Sequence, residues 1–93
     1  MEFEWDEHKR EINLDKHGID FASVRQMWRK RVIDPYDSPI RGGEQRHLAL
    51  GEIAQGEGSI LIAVVCTFRL SARRLISARK ADRHERADYA GRS

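Results

Sequence analysis

Ser77, Arg79, Arg83, Arg86 and Tyr89 crowd one short stretch, LISARKADRHERADYA, residues 75–90, where an apolar strand-like run turns at once into an arginine-rich helix-like run. Read as a strand, Leu75, Ser77 and Arg79 point one way and Arg74, Ile76, Ala78 and Lys80 the other. Read as a helix, Arg79, Arg83 and Arg86 fall at i, i+4 and i+7, with Tyr89 one turn beyond. A guanidinium fork matches two phosphate oxygens and stays charged at any physiological pH. A tyrosine ring offers a face on which a base can stack. Together these side chains suit an RNA backbone. The competing reading pairs the arginines with Asp82 and Glu85 and packs Tyr89 in the core.

The charge distribution points the same way. Formal net charge is +2, yet residues 1–68 carry a balance of −3 and residues 69–93 a balance of +5. Such asymmetry suits a polyanion partner. Arg69, in register with Thr67 and Val65, and Arg46, at the start of the neighbouring strand, extend the basic surface if the late strands pair as hairpins. His17, in Lys16-His17-Gly18, stands at a helix end where a cation is favoured. It is either a partner of the helix dipole or a general acid or base, since histidine titrates near neutral pH without help.

Other chemistries find little support. His8, His17, His47 and His84 share no metal-ligand spacing with one another or with Cys66, so no metal and no cofactor is expected. There is no glycine-rich phosphate loop and no G-x-S-x-G string. Cys66 has no second thiol to pair with, lies in an apolar run and reads as core packing. The run from Ile60 to Cys66 is too short to cross a bilayer, and the acidic start carries no signal segment, so a reducing cytoplasm is the expected location.

The elements that must position these residues follow from patterning. A chain of 93 residues makes one domain, 1–93, with a small core. Phe3-Glu4-Trp5 reads as a short edge strand. Asp6 caps a helix that ends at His17, with Gly18 as its left-handed stop and Ile12 and Leu14 on a thin apolar face. Asp20 caps a second helix, with Phe21, Val24 and Trp28 on its core face and Arg29-Lys30-Arg31 at its end. Val32-Ile33 opens a strand that Pro35 confines to an edge. Residues 37–44 read as a loop. A strand over 45–52 puts Arg46, Leu48 and Leu50 on one face, with His47 opposite. AQGEG, 54–58, is a hairpin turn; 59–68 is a central strand, 70–73 a turn and 74–80 the last strand. Asp82 caps a final helix ending near Tyr89. The fold class is α+β: two N-terminal helices, a four-stranded antiparallel sheet with the helices on one face, and a C-terminal helix.

Several strings then combine: Phe3-Glu4-Trp5-Asp6; Asn13 to Phe21, in which Lys16-His17-Gly18-Ile19 sits; Gly43 to Arg46; Val64 to Arg69; and Ile76 to Tyr89, which holds Ile76-Ser77-Ala78-Arg79. Together they resemble the BrnT family, toxins of type II toxin–antitoxin systems, over nearly the whole chain. The resemblance implies a RelE-like ribonuclease fold and metal-independent RNA cleavage that arrests translation. It also implies a small BrnA-like antitoxin that blocks the toxin and binds DNA. The family pattern covers Lys16, His17, Arg46, Arg69, Ser77, Arg79, Glu85 and Tyr89, all present here. On that basis Arg79 and Arg46 are the expected charge stabilisers, with His17 or Glu85 as base or acid. Arg69, Ser77, Lys16, Arg83, Arg86 and Tyr89 are the expected substrate contacts. The alternative is a non-enzymatic nucleic-acid-binding module using the same basic face.

Overall fold

A computed structural model describes residues 2–37, 45–69 and 71–91. Most of the expected 37–44 loop, with Gly42 and Gly43, lies outside the described residues, as do Leu70 of the expected turn and the last two residues. The elements are β1 (Glu2–Glu4), α1 (Glu7–His17), α2 (Phe21–Val24) with a 3-10 extension (Arg25–Arg29), β2 (Ile33–Asp37), β3 (His47–Gln55), β4 (Gly58–Arg69), β5 (Ala72–Lys80) and α3 (Arg83–Gly91).

The expected α+β class holds, but the sheet is five-stranded and mixed, in the order β1-β5-β4-β3-β2. Glu2 to Glu4 pair in parallel with Ala72 to Arg74, so the N-terminal strand joins the sheet instead of standing apart from a four-stranded antiparallel one. The reason lies in β5, which starts at Ala72, two residues earlier than expected, and so presents an outer edge for β1. Proline-bearing β2 takes the opposite edge, as its missing N–H requires.

The second helix is also shorter than expected. Four α-helical residues give way to a 3-10 turn. In that tighter winding positions i and i+3 eclipse, which stacks Val24 and Met27, both fully buried. Met27 presses on Gly51 of β3, where an added Cβ would overlap its side chain. These residues join Ile19, Phe21, Ile53, Ile62, Val64, Cys66, Leu75 and Ala78 in the main core. Each large apolar side chain buried there is worth roughly 1.5–3 kcal/mol of transfer free energy.

α1 is held by its ends and by one polar residue, not by an apolar stripe. Asp6 accepts from the N–H groups of His8 and Lys9 at 2.8 and 3.1 Å, which hold its carboxyl below the usual carboxylate range. Gly18 closes the helix at φ 72° and donates its N–H to Leu14 O at 2.8 Å. The expected apolar face is absent: Ile12 and Leu14 are 50% and 42% exposed, whereas Asn13 is buried. The Asn13 amide donates to Ala78 O at 2.9 Å and its oxygen accepts from Ala78 N at 3.0 Å. One carboxamide thus acts as a single-residue strand on the outer edge of β5, beyond the reach of short β1.

The helices do not share one face. α1 and α2 lie over the core side of β5 and its edge. On the other pleat, Leu50 and Ala63 face each other across β3 and β4 and are also fully buried. Their cover is α3, which packs on β3 and reaches Arg79, the partner of Ala63 across the strands. The final helix therefore crosses the sheet face opposite the main core.

Candidate functional site

The geometry of the site turns on one irregularity in β5. Val65 pairs with Ser77, but Cys66 pairs with Leu75, so Ile76 is an extra residue bulged out of the ladder. The bulge reverses the alternation. Thr67 pairs with Arg74, and Thr67 and Val65 share a face, so Arg74 lies on the same face as Ser77 and Arg79. Simple alternation had set Arg74 against them. The core shows the same reversal: Leu75 and Ala78, three apart, are both buried in the main cluster.

That face carries a cross-strand grid. One row runs Arg79, Ala63, Leu50; the next runs Ser77, Val65, Leu48. A third runs Arg74, Thr67 and then Arg46, when the register is continued one residue before His47. Arg69 stands at its end, opposite Ala72. The expected grouping of Arg46, Leu48 and Leu50 on one side with Arg69, Thr67 and Val65 agrees with this register. At ~4.8 Å between strands and ~3.3 Å per residue along them, Arg46 and Arg74 are about 10 Å apart and Arg79 lies about 13 Å further along. α3 covers the Arg79 row. The middle row is half-exposed. In the Arg74 row the buried Thr67 hydroxyl has no partner among the described residues, an arrangement that costs ~1–3 kcal/mol unless a ligand or water meets it.

Arg79 is held firmly. Its two terminal nitrogens donate to both Glu85 oxygens at 2.7 and 2.9 Å, and the same Glu85 accepts from Asp82 N at 2.8 Å. Asp82 returns the bond by accepting from Glu85 N at 2.8 Å. Asp82 and Glu85 thus form a reciprocal capping box at the start of α3. The Glu85 carboxylate raises the Arg79 pKa above its already high ordinary value, against the opposing effect of burial. Glu85 is 9% exposed at its side chain and Arg79 39%, so the carboxylate is enclosed while the guanidinium keeps an open side. A guanidinium has five N–H donors; Arg79 retains donors beyond those Glu85 takes.

Lys16 and His17 approach the same face from its edge. With Ile12 they line a groove of about 230 Å³ closed on the sheet side by Ile76 and Ser77. Ser77 therefore belongs both to this groove and to the grid. The expected α3 contacts are not gathered with it. Arg83 is exposed on the helix, and Arg86 donates to Ala81 O at 2.9 Å. Tyr89 sits at the far end of α3, where its hydroxyl donates to Arg31 O at 2.7 Å, the Arg31 guanidinium covers its ring at 4.0 Å and Arg31 donates to Tyr89 O. Arg31 leads into β2, three strands from β5, which sets Tyr89 roughly 14 Å across the sheet from Ser77. One ring face is already occupied by a cation.

Behind the site, on the core side, lies a buried group that residue types alone did not reveal. Arg73 has a side chain 3% exposed. It pairs with Asp34 at 2.9 and 2.6 Å and lies over the rings of Trp28 and Phe68 at 4.7 and 4.2 Å. Asp34 also accepts from the Trp28 indole at 3.0 Å. Cys66 is buried here as expected, and burial pushes its thiol pKa up despite the nearby Arg73. Arg73 was expected in a turn. Its neighbours Trp28 and Asp34 are far away in sequence, and no local pattern marks it. Asn13 carried a weak signal, a poor helix former in mid-helix.

Among the described residues, no three His, Cys, Asp or Glu side chains stand together as metal ligands, and no helix is long and apolar enough to cross a membrane. An α+β domain that lines one sheet face with arginines and feeds it a histidine from the edge has the chemistry to grip and act on an anionic polymer. The chain belongs to the BrnT family: residues 5–85 match the family model described as a ribonuclease toxin, BrnT, of type II toxin–antitoxin systems. Membership makes it a ribonuclease toxin with RNA as target and an antitoxin as partner. No curated protein matches the chain.

Proposed function

We propose that this toxin cleaves RNA without a metal ion, on the sheet face that carries Arg74, Ser77 and Arg79, and so arrests translation in the cytoplasm until a BrnA-like antitoxin covers it. The observation that carries the reading is the Ile76 bulge, which turns Arg74 onto the face of Ser77 and Arg79. Its chemistry needs no external electron donor or acceptor. The 2′-oxygen attacks the adjacent phosphorus, the bond from phosphorus to the 5′-oxygen breaks, and a 2′,3′-cyclic phosphate and a 5′-hydroxyl result. A base removes the 2′-hydroxyl proton and an acid supplies one to the leaving oxygen.

The phosphate rests near Ser77. Arg79 flanks it, as does Arg74, whose guanidinium also stands 3.7 Å from the Glu4 carboxylate of β1; Arg46 and Arg69 hold the flanking backbone, and Lys16 approaches from the edge. His17 carries the proton, since an imidazole nitrogen can accept or donate one and the ring lines the groove that Ser77 closes. Glu85 is a positioning residue, because both of its oxygens are committed to Arg79 and the α3 cap. Arg83, Arg86 and Tyr89 serve the outer path of the RNA.

The reading is tested by incubating the purified toxin with RNA in excess chelator. Cleavage at an undiminished rate is expected. Loss of cleavage in chelator with recovery on adding magnesium overturns the metal-independent mechanism, and RNA binding with no cleavage under any condition reduces the face to a binding module.

A further inference from the structure

We infer that the groove between α1 and the outer edge of β5 docks an acidic segment of the antitoxin, one that seats a single apolar side chain between carboxylates. The inference rests on the toxin–antitoxin reading of the chain. Three observations on the groove support it. Its floor is aliphatic: Ile12, half exposed on a helix whose other neighbours face water or the core, meets Ile76, which the bulge pushes out of the ladder. Its rim is cationic, with Lys9 and Lys16 on either side of Ile12 at helical spacings of three and four residues. No carboxylate is among its described lining residues.

The lining favours a protein over RNA. Single-stranded RNA is held largely by stacking bases on rings or guanidinium planes. The one ring in the lining, His17, is taken by the proposed chemistry; Ile12 and Ile76 give no such platform, whereas they form a pocket for one leucine- or phenylalanine-sized anchor, the kind of buried centre on which protein interfaces depend. Lysines around it select acidic neighbours and speed their approach. About 230 Å³ accommodates one such anchor, so the groove is one contact within a larger interface. Its inner end is Ser77, so an occupant would sit directly beside the proposed phosphate position and His17. Inhibition then follows from occupancy alone, with no change of fold.

The experiment measures antitoxin affinity and RNA cleavage separately, with the co-expressed antitoxin as probe. Lys9→Glu combined with Ile12→Glu reverses the rim and the floor at exposed positions that have no part in the proposed chemistry. Antitoxin affinity is expected to fall a hundredfold or more, while RNA cleavage and melting temperature stay at the wild-type values. Leu14→Glu is the control: Leu14 is 42% exposed on the same helix but does not line the groove, and its variant should bind antitoxin normally. Wild-type affinity in the double variant overturns the inference, as does an equal loss in Leu14→Glu. Retained antitoxin binding with lost cleavage assigns the groove to RNA instead. A wild-type toxin that binds no antitoxin at all defeats the underlying reading, a result distinct from the others.

Discussion

Arg79→Ala is expected to lose RNA cleavage by about a hundred- to a thousandfold, the effect of removing one oriented donor from a developing charge, ~2.7–4 kcal/mol. The complication is Glu85. Truncating Arg79 leaves that enclosed carboxylate without its guanidinium, so the single variant is also expected to melt lower. Adding Glu85→Gln separates the two effects. A glutamine still caps α3, since the capping box accepts either residue, but carries no charge to strand. The double variant should recover most of the lost stability and none of the activity. Arg79→Lys should rescue cleavage poorly, because a point charge cannot grip Glu85 and a phosphate with one planar fork. If activity returns in the double variant along with stability, Arg79 is a strut and the assignment of charge stabilisation to it is wrong.

Arg73→Ala is expected to be strongly destabilising. Its guanidinium lies over the rings of Trp28 and Phe68 and is paired twice with Asp34, at side-chain exposures of 3% and 12%. Breaking a buried pair from one side costs about 3–5 kcal/mol, since the remaining charge stays buried and unmatched. For a domain of this size that is a large part of the total stability. Arg73→Met with Asp34→Asn, which removes both charges and keeps most of the volume, should lose far less. Denaturant melts of the three proteins measure this. Equal losses for the single and paired variants would mean that the stacking on Trp28 and Phe68, not the ion pair, carries the stability.

Much of this architecture was legible in the residues. Gly18 and Asp6 mark the ends of α1, Pro35 marks an edge strand, and the doubly apolar run through Val64 marks the central one. Ser77 and Arg79 share the face of Val65 and Thr67, with Arg69 at its end, because β4 and the end of β5 keep the period of two that alternation predicts. What escaped was non-local. The bulge at Ile76 shows in sequence only as apolar residues at 75, 76 and 78, which break alternation. Arg74 was therefore turned to the wrong side. The role of Asn13, only weakly marked by its place in mid-helix, was hidden because its partner, Ala78, lies 65 residues away. Arg73 looked like a turn cation because Asp34 and Trp28 reach it only through the folded sheet. The parallel pairing of β1 with β5 joins the two ends of the chain, which no local pattern specifies.

The central claim, that the arginine face promotes attack by the RNA's own 2′-oxygen, is tested most directly with an RNA oligonucleotide cut at one position and its twin carrying a single 2′-deoxy sugar there. In chelator, the toxin should cleave the first to a 2′,3′-cyclic phosphate and a 5′-hydroxyl and leave the second intact. Equal cleavage of both, or products ending in a 5′-phosphate, would mean that water attacks the phosphorus and that the proposed mechanism is wrong.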